Sequence, residues 1–185
     1  MKYFLDFDRT IFDTDRFNTE VLLTHPLFEE KREEIQKVIQ EDQLKSIRWR
    51  FLHDFVKERG ITFKEREVEP YLFPDVLPFL SNHRADVTLV TYGNPAFQAI
   101  KVFGAGVKEK FADVYYTDTT AKGEYLQTKI PADHEFVFVD DTAEHLTNVA
   151  QLFHRTSVFE IRRDGGAGSG LFPVITSLTE LETVQ

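Results

Sequence analysis

The sequence predicts an α/β protein: a parallel sheet flanked by helices, with a small helical segment inserted after the first strand. Three observations carry this. Short apolar runs, mostly β-branched or aromatic, recur along the chain, and each stops at polar residues; strands buried on both faces of a parallel sheet read this way. Segments with helical spacing lie between those runs, and strand–helix alternation belongs to parallel sheets. One stretch, from about Phe17 to Gly60, holds helical patterning and no strand candidate.

In chain order, the first strand is Tyr3–Phe7, which ends in Asp6 and Asp8. The insertion follows. Within it, residues 29–43 carry a stripe of Ile35, Val38 and Ile39. Residues 44–59 place Ile47, Phe51, Leu52, Phe55 and Val56 on one face, and Gly60 is a natural stop. This predicts a helical hairpin, dividing the chain into a core of residues 1–16 and 61–185 and an insertion of residues 17–60. Pro74–Leu80 reads as a helix with Asp75 in its first turn. The second strong strand is 86–92, stopping at Thr91 and Asn94; Pro95–Phe103 is a helix ending near Gly104. A weaker strand is predicted over 113–116 and a short helix over Lys122–Thr128. The third strong strand, 135–140, runs into Asp140 and Asp141. Thr142 then opens a helix with Leu146, Val149, Ala150 and Phe153 at helical spacing. A weaker strand over 157–161 and a last helical segment over 178–184, capped by Ser177, complete the chain.

Composition narrows the function. The 185 residues suit one domain with a modest insertion, and 18 phenylalanines predict an aromatic-rich core. With no cysteine, thiolate metal sites and cysteine nucleophiles are excluded. A net charge of −9 argues against a nucleic-acid partner, though a small phosphorylated substrate can still meet a local cationic site. The N-terminal apolar run is too short for a signal peptide, and no segment approaches the ~18 apolar residues of a membrane helix. The expectation is a cytoplasmic protein with no membrane partner. The six histidines show no i, i+4 pair of the kind that binds zinc.

In a parallel sheet, ligands bind beyond the carboxyl ends of the strands. The three strong strands would bring Asp6, Asp8, Thr91, Asn94, Asp140 and Asp141 to that rim. Two like charges roughly 4 Å apart repel by about 4 kcal/mol at an effective dielectric of about 20, so such a cluster calls for a cation or a proton. Mg²⁺ takes carboxylate oxygens together with water and substrate phosphate. Thr10, Thr91 and a lysine on the same rim would suit the charge of a transferring phosphoryl group. One aspartate can then be the nucleophile and another the acid/base.

These stretches resemble the haloacid dehalogenase superfamily. Asp6-Phe7-Asp8-Arg9-Thr10 is similar to its first motif, Asp-x-Asp-x-Thr. Leu89-Val90-Thr91-Tyr92-Gly93-Asn94 resembles the second, Lys122 in Ala121-Lys122-Gly123 the third, and Val137-Phe138-Val139-Asp140-Asp141-Thr142 the fourth. The four occur in the family's order. The resemblance implies a Rossmann-like core with the insertion as its cap. It makes Asp6 the nucleophile, Asp8 the acid/base and Lys122 the charge-balancing cation. Thr10 and Thr91 would position the phosphoryl group, with Arg9, Tyr92 and Asn94 beside them as further substrate-binding candidates. Asp6, the carbonyl of Asp8 and Asp141 would hold Mg²⁺, with Asp140 in support. Family dehalogenases lack the second acid of the first motif, so Asp8 points to a phosphatase. Many relatives carry glycine where this chain has Arg9.

Lys101, Lys108, Lys110 and Lys129 compete for the lysine role; Lys122 is preferred because it opens a helix before the fourth motif's strand. The glycine-rich tract 165–170 lacks a Gly-Lys-Ser/Thr ending and reads as a surface loop. Lys45–Arg50 reads as a solvated helix face, with substrate recognition by Arg48 or Arg50 as the sharper alternative. The expected activity is Mg²⁺-dependent hydrolysis of a small phosphorylated metabolite. A phosphomutase, a phosphoacceptor module and a non-catalytic relative are the competing readings.

Overall fold

The computed structural model describes residues 1–22 and 62–183, with Thr24 and Glu33 as isolated positions. The helical hairpin expected over residues 29–59, including Arg48, Trp49 and Arg50, lies outside them apart from Glu33.

Six strands form one parallel sheet: β1 (Lys2–Leu5), β2 (Val87–Tyr92), β3 (Asp113–Thr117), β4 (Phe136–Asp140), β5 (Ser157–Ile161) and β6 (Val174–Ile175), in the order β3-β2-β1-β4-β5-β6. Five α-helices accompany it among the described residues: α1 (Thr14–Phe17), α2 (Val76–His83), α3 (Pro95–Gly104), α4 (Lys122–Gln127) and α5 (Ala143–Leu152).

Strand alternation explains the layers. Tyr3 and Leu5 of β1, and Val137 and Val139 of β4, enter one core with Val76, Phe79 and Leu80 of α2 and Phe97 and Val102 of α3. Phe4, Phe136 and Phe138 face the other way, against Leu126 of α4 and Leu146 and Val149 of α5. The sheet is thus covered on both faces, which is why its strands show continuous apolar runs.

Several bounds differ from expectation. β1 ends at Leu5, so Asp6 and Phe7 belong to the turn that follows; Asp6 still bonds back through its N–H to the Val139 carbonyl at 2.9 Å. α2 starts two residues after Pro74, with Asp75 at its N-cap position but making no side-chain bond to the helix. The terminal segment Leu178–Thr183 is a 3₁₀ helix. β6 and α1 carry too few residues to show a period in sequence. α1 continues into a π-helical turn at Asn18–Leu22, and Phe17 packs against Phe63 and Tyr71 at ring distances of 5.6 Å each. The segments flanking the insertion therefore lie against each other.

Candidate active site

The sheet order reverses between β1 and β4, since β2 and β3 extend to one side of β1 while β4, β5 and β6 extend to the other. Strand ends diverge at such a point and leave a crevice. Asp6 follows β1, Thr91 lies near the end of β2, and Asp140 closes β4.

Asp6, Asp140 and Asp141 each offer a ligand oxygen, all within 4.8 Å of one another. Lys122, fully buried, donates to Asp6 Oδ1 and to Asp140 Oδ2, the latter at 2.7 Å. α4 aims it there: Asn148 Oδ1 on α5 accepts the Gly123 N–H at 2.7 Å and so caps the helix at its first turn. Asp140 also meets His145 Nδ1, 3.1 Å from both its oxygens, and accepts the Thr142 N–H at 2.9 Å.

The electrostatics divide the three acids. Burial pushes Asp6 up to about 7, against the pull of Lys122 and with Asp140, Asp141 and Asp8 adding to the rise. Burial and the neighbouring Asp140 raise Asp141 to about 6. Burial also acts on Asp140, but Lys122 and His145 outweigh it and hold that group well below the usual carboxylate range. Lys122 loses less to burial than it gains from Asp140 and Asp6, so its ammonium is held above its ordinary value. One lysine among three acids, two of them buried and Asp141 half-buried, leaves negative charge in excess. An all-oxygen donor set of this kind fits a hard divalent cation such as Mg²⁺.

Asp8 stands apart from that cluster. Thr14 Oγ1 and Lys101 Nζ donate to its Oδ1, at 2.5 Å each, and Gln98 Nε2 donates to its Oδ2 at 2.8 Å. Burial works to raise it, yet Lys101 and these hydrogen bonds prevail and hold it at about 2. Its surroundings therefore favour the ionised form, where the family resemblance implies an acid as well as a base.

Asp6, Asp8, Arg9, Tyr92 and Asp141 line one cavity, joined by Gln98, Lys101 and His145. Thr10, Thr91, Lys122 and Asp140 are fully buried. The hydroxyls of Thr10 and Thr91 have no hydrogen-bond partner among the described residues. Arg9 has left-handed backbone (φ 57°) and pairs with Asp15 at 2.8 Å. Asn94 has its side-chain oxygen engaged as the N-cap of α3, accepting from Ala96 and Phe97.

At the level of sequence, no family model matches the chain and no curated protein does. Solved structures do match. YfnB of Bacillus subtilis, assigned as a HAD-hydrolase and solved bound to magnesium, superposes with a TM-score of 0.66 at 17% identity, over 99% of this chain and 97% of its own. The haloacid dehalogenase-like family protein SP0104 of Streptococcus pneumoniae gives 0.63 at 14% identity, over 100% and 98%. The L-2-haloacid dehalogenase of Xanthobacter autotrophicus gives 0.62 at 14%, over 99% and 97%.

The chain has the haloacid dehalogenase-like fold. On that fold, residues far apart in sequence, Asp6, Lys122, Asp140 and Asp141, meet at one crevice. Besides Thr14, which opens the four-residue α1, three participants on longer helices were not singled out by the sequence. Lys101 stood there only as a competitor of Lys122, yet both reach the site, each paired with a different acid of Asp6-Phe7-Asp8. Gln98 lies one turn before Lys101 on α3, and His145 falls five residues after Asp140. Their only sequence signal is polar character on otherwise apolar helix faces.

Proposed function

We propose that the protein is a cytoplasmic, Mg²⁺-dependent phosphatase of the haloacid dehalogenase superfamily, hydrolysing a small phosphorylated metabolite through an aspartyl-phosphate on Asp6. The observation that carries this reading is the placing of two different carboxylates on one cavity: Asp6 beside Lys122 and the acid cluster, and Asp8 in a separate hydrogen-bonded seat. Hydrolysis of a carbon–halogen bond gives a halide that needs no proton, whereas an alkoxide leaving from phosphorus does.

In this reading Asp6 Oδ attacks phosphorus, the bond to the leaving oxygen breaks with its electron pair, and Asp8, ionised in the free protein, relays to that oxygen the proton that a monoanionic ester brings with it. Asp8, again a carboxylate, then takes a proton from water as the water oxygen bonds to phosphorus and the Asp6–phosphorus bond breaks. The sum is ester plus water giving alcohol plus phosphate. Lys122 balances charge on Asp6, and the unpartnered hydroxyls of Thr10 and Thr91 are donors for phosphoryl oxygens. Asp6, Asp141, the Asp8 carbonyl and Asp140 in support would hold Mg²⁺, which supplies charge neutralisation on the phosphoryl group. Residues 17–60 would form the cap over this rim.

The test is phosphate release from p-nitrophenyl phosphate with Mg²⁺. The wild type should turn over and Asp6→Asn should not; full turnover by that variant removes the nucleophile and the reading with it. An isomerised product in place of free phosphate, on a sugar phosphate, would replace hydrolysis by mutase chemistry.

A further inference from the structure

Lys101 has no part in the reaction scheme above, yet it is built into the site. It lies on α3 with 2% of its surface exposed, and its ammonium is 2.5 Å from Asp8 Oδ1. The rings of Phe97, Phe7 and Phe12 stand 5.2, 5.4 and 5.9 Å from Nζ. Among the described residues Asp8 is the one carboxylate paired with it. Gln98 donates from the same helix to Asp8 Oδ2 and to the Tyr92 carbonyl, at 2.8 Å each. Both partners accept only, so the amide orientation is fixed. Thr14 closes the seat from α1. Asp8 is therefore held through both oxygens.

Stability is a weak reason for this arrangement. Enclosing an ammonium among aromatic rings has a desolvation cost, and apolar replacement of a buried ion pair is often neutral or stabilising. The geometry points to Lys101 as a positioning residue for the acid/base: it fixes the direction of the Asp8 carboxylate relative to Asp6 and acts through Asp8, not on the substrate. The role rests on the phosphoryl-transfer reading.

The experiment measures kcat and KM on p-nitrophenyl phosphate with Mg²⁺ for the wild type, Lys101→Met, Lys101→Arg, Asp8→Asn and the Asp8→Asn/Lys101→Met double variant. Lys101→Met should lower kcat about 100-fold, the scale expected when a catalytic group is misplaced by roughly 1 Å, with KM little changed. Lys101→Arg should retain more activity than Lys101→Met. The double variant should be no slower than Asp8→Asn alone. Thermal unfolding without metal gives a second readout: Lys101→Met lowers the midpoint by leaving the half-buried Asp8 carboxylate without its cation, and adding Asp8→Asn recovers part of the loss. An unchanged kcat, a raised KM at unchanged kcat, or losses that multiply in the double variant overturns the role while leaving the phosphatase reading intact. A wild type inert on every ester tested overturns both.

Discussion

Arg9 and Gly123 show how single residues set the site. At Arg9 the backbone is left-handed, a conformation with a cost of about 1–2 kcal/mol for a residue bearing a Cβ; this is the physical reason glycine suits the position, and here the guanidinium gained is paired with Asp15. Gly123 is bound by space. A Cβ there would lie 2.6 Å from the Asn148 carbonyl oxygen and 2.9 Å from its carbon, both backbone atoms that cannot turn aside. We expect Gly123→Ala to destabilise by about 1–3 kcal/mol, the range for forced overpacking, and to lower activity by moving the adjacent Lys122. Urea unfolding and phosphate release measure the two effects; a variant as stable and active as the wild type would show that α4 does not depend on this contact. The need for a lysine opening a short helix was legible in Ala121-Lys122-Gly123. Lys101 was not, because a buried lysine differs from a surface lysine only in what surrounds it, and Phe7 and Phe12 come from ninety residues earlier in the chain.

Elements were legible where burial imposed a pattern on several residues. β1, β2 and β4 are strands enclosed on both faces, and all were visible as apolar runs. Their neighbours at the C-terminus were less so, because side chains and not periodicity fix them. Asp75, at the N-terminus of α2, receives Arg163 on both oxygens at 2.8 and 2.9 Å, the Ser177 hydroxyl at 2.9 Å and the Leu178 N–H at 2.6 Å. Arg163 in turn donates to the Thr10 carbonyl at 2.6 and 2.8 Å, tying the turn after β1 to the C-terminal segment. Burial alone would raise Asp75, but Arg163 and these hydrogen bonds outweigh it and lower its pKa. A carboxylate lowered on folding adds stability above its unfolded value of about 3.9, and that stability fades as pH falls through the lower folded value. Asp75→Asn should therefore lose about 3 kcal/mol at neutral pH, the low end for removing one partner of a buried pair. Its deficit against the wild type should begin to shrink below about pH 4, where the unfolded wild type takes up a proton at Asp75 while the variant has no group to titrate there. Denaturant unfolding of both at pH 7 and pH 3 decides this, and a deficit that stays constant would assign Asp75 a purely neutral hydrogen-bonding role.

For the whole molecule, what joins the site is the strand order, and order is the part least written in any local stretch. The apolar runs identify strands, and the parallel-sheet rule puts Asp6, Asp140 and Asp141 on one rim, but neither says that β4 crosses back to lie beside β1; the order β3-β2-β1-β4-β5-β6 is what makes them neighbours. That crossing has a thermodynamic consequence. Three acids at the ends of two strands, Asp6 and Asp140 buried and Asp141 half-buried, meet with Lys122 bridging the first two, so the native arrangement concentrates repulsion that the unfolded chain disperses. A divalent ion binding only the assembled rim should then stabilise the fold by mass action, about 2.7 kcal/mol at a free concentration roughly 100 times its Kd. Thermal unfolding with Mg²⁺ and with a chelator should separate clearly for the wild type. Asp141→Asn removes one charge without removing volume, so it should unfold no earlier than the wild type in chelator, yet gain far less from Mg²⁺. A variant that gains as much would place the ion elsewhere, and equal midpoints for the wild type in both solutions would mean that the acids meet without binding it.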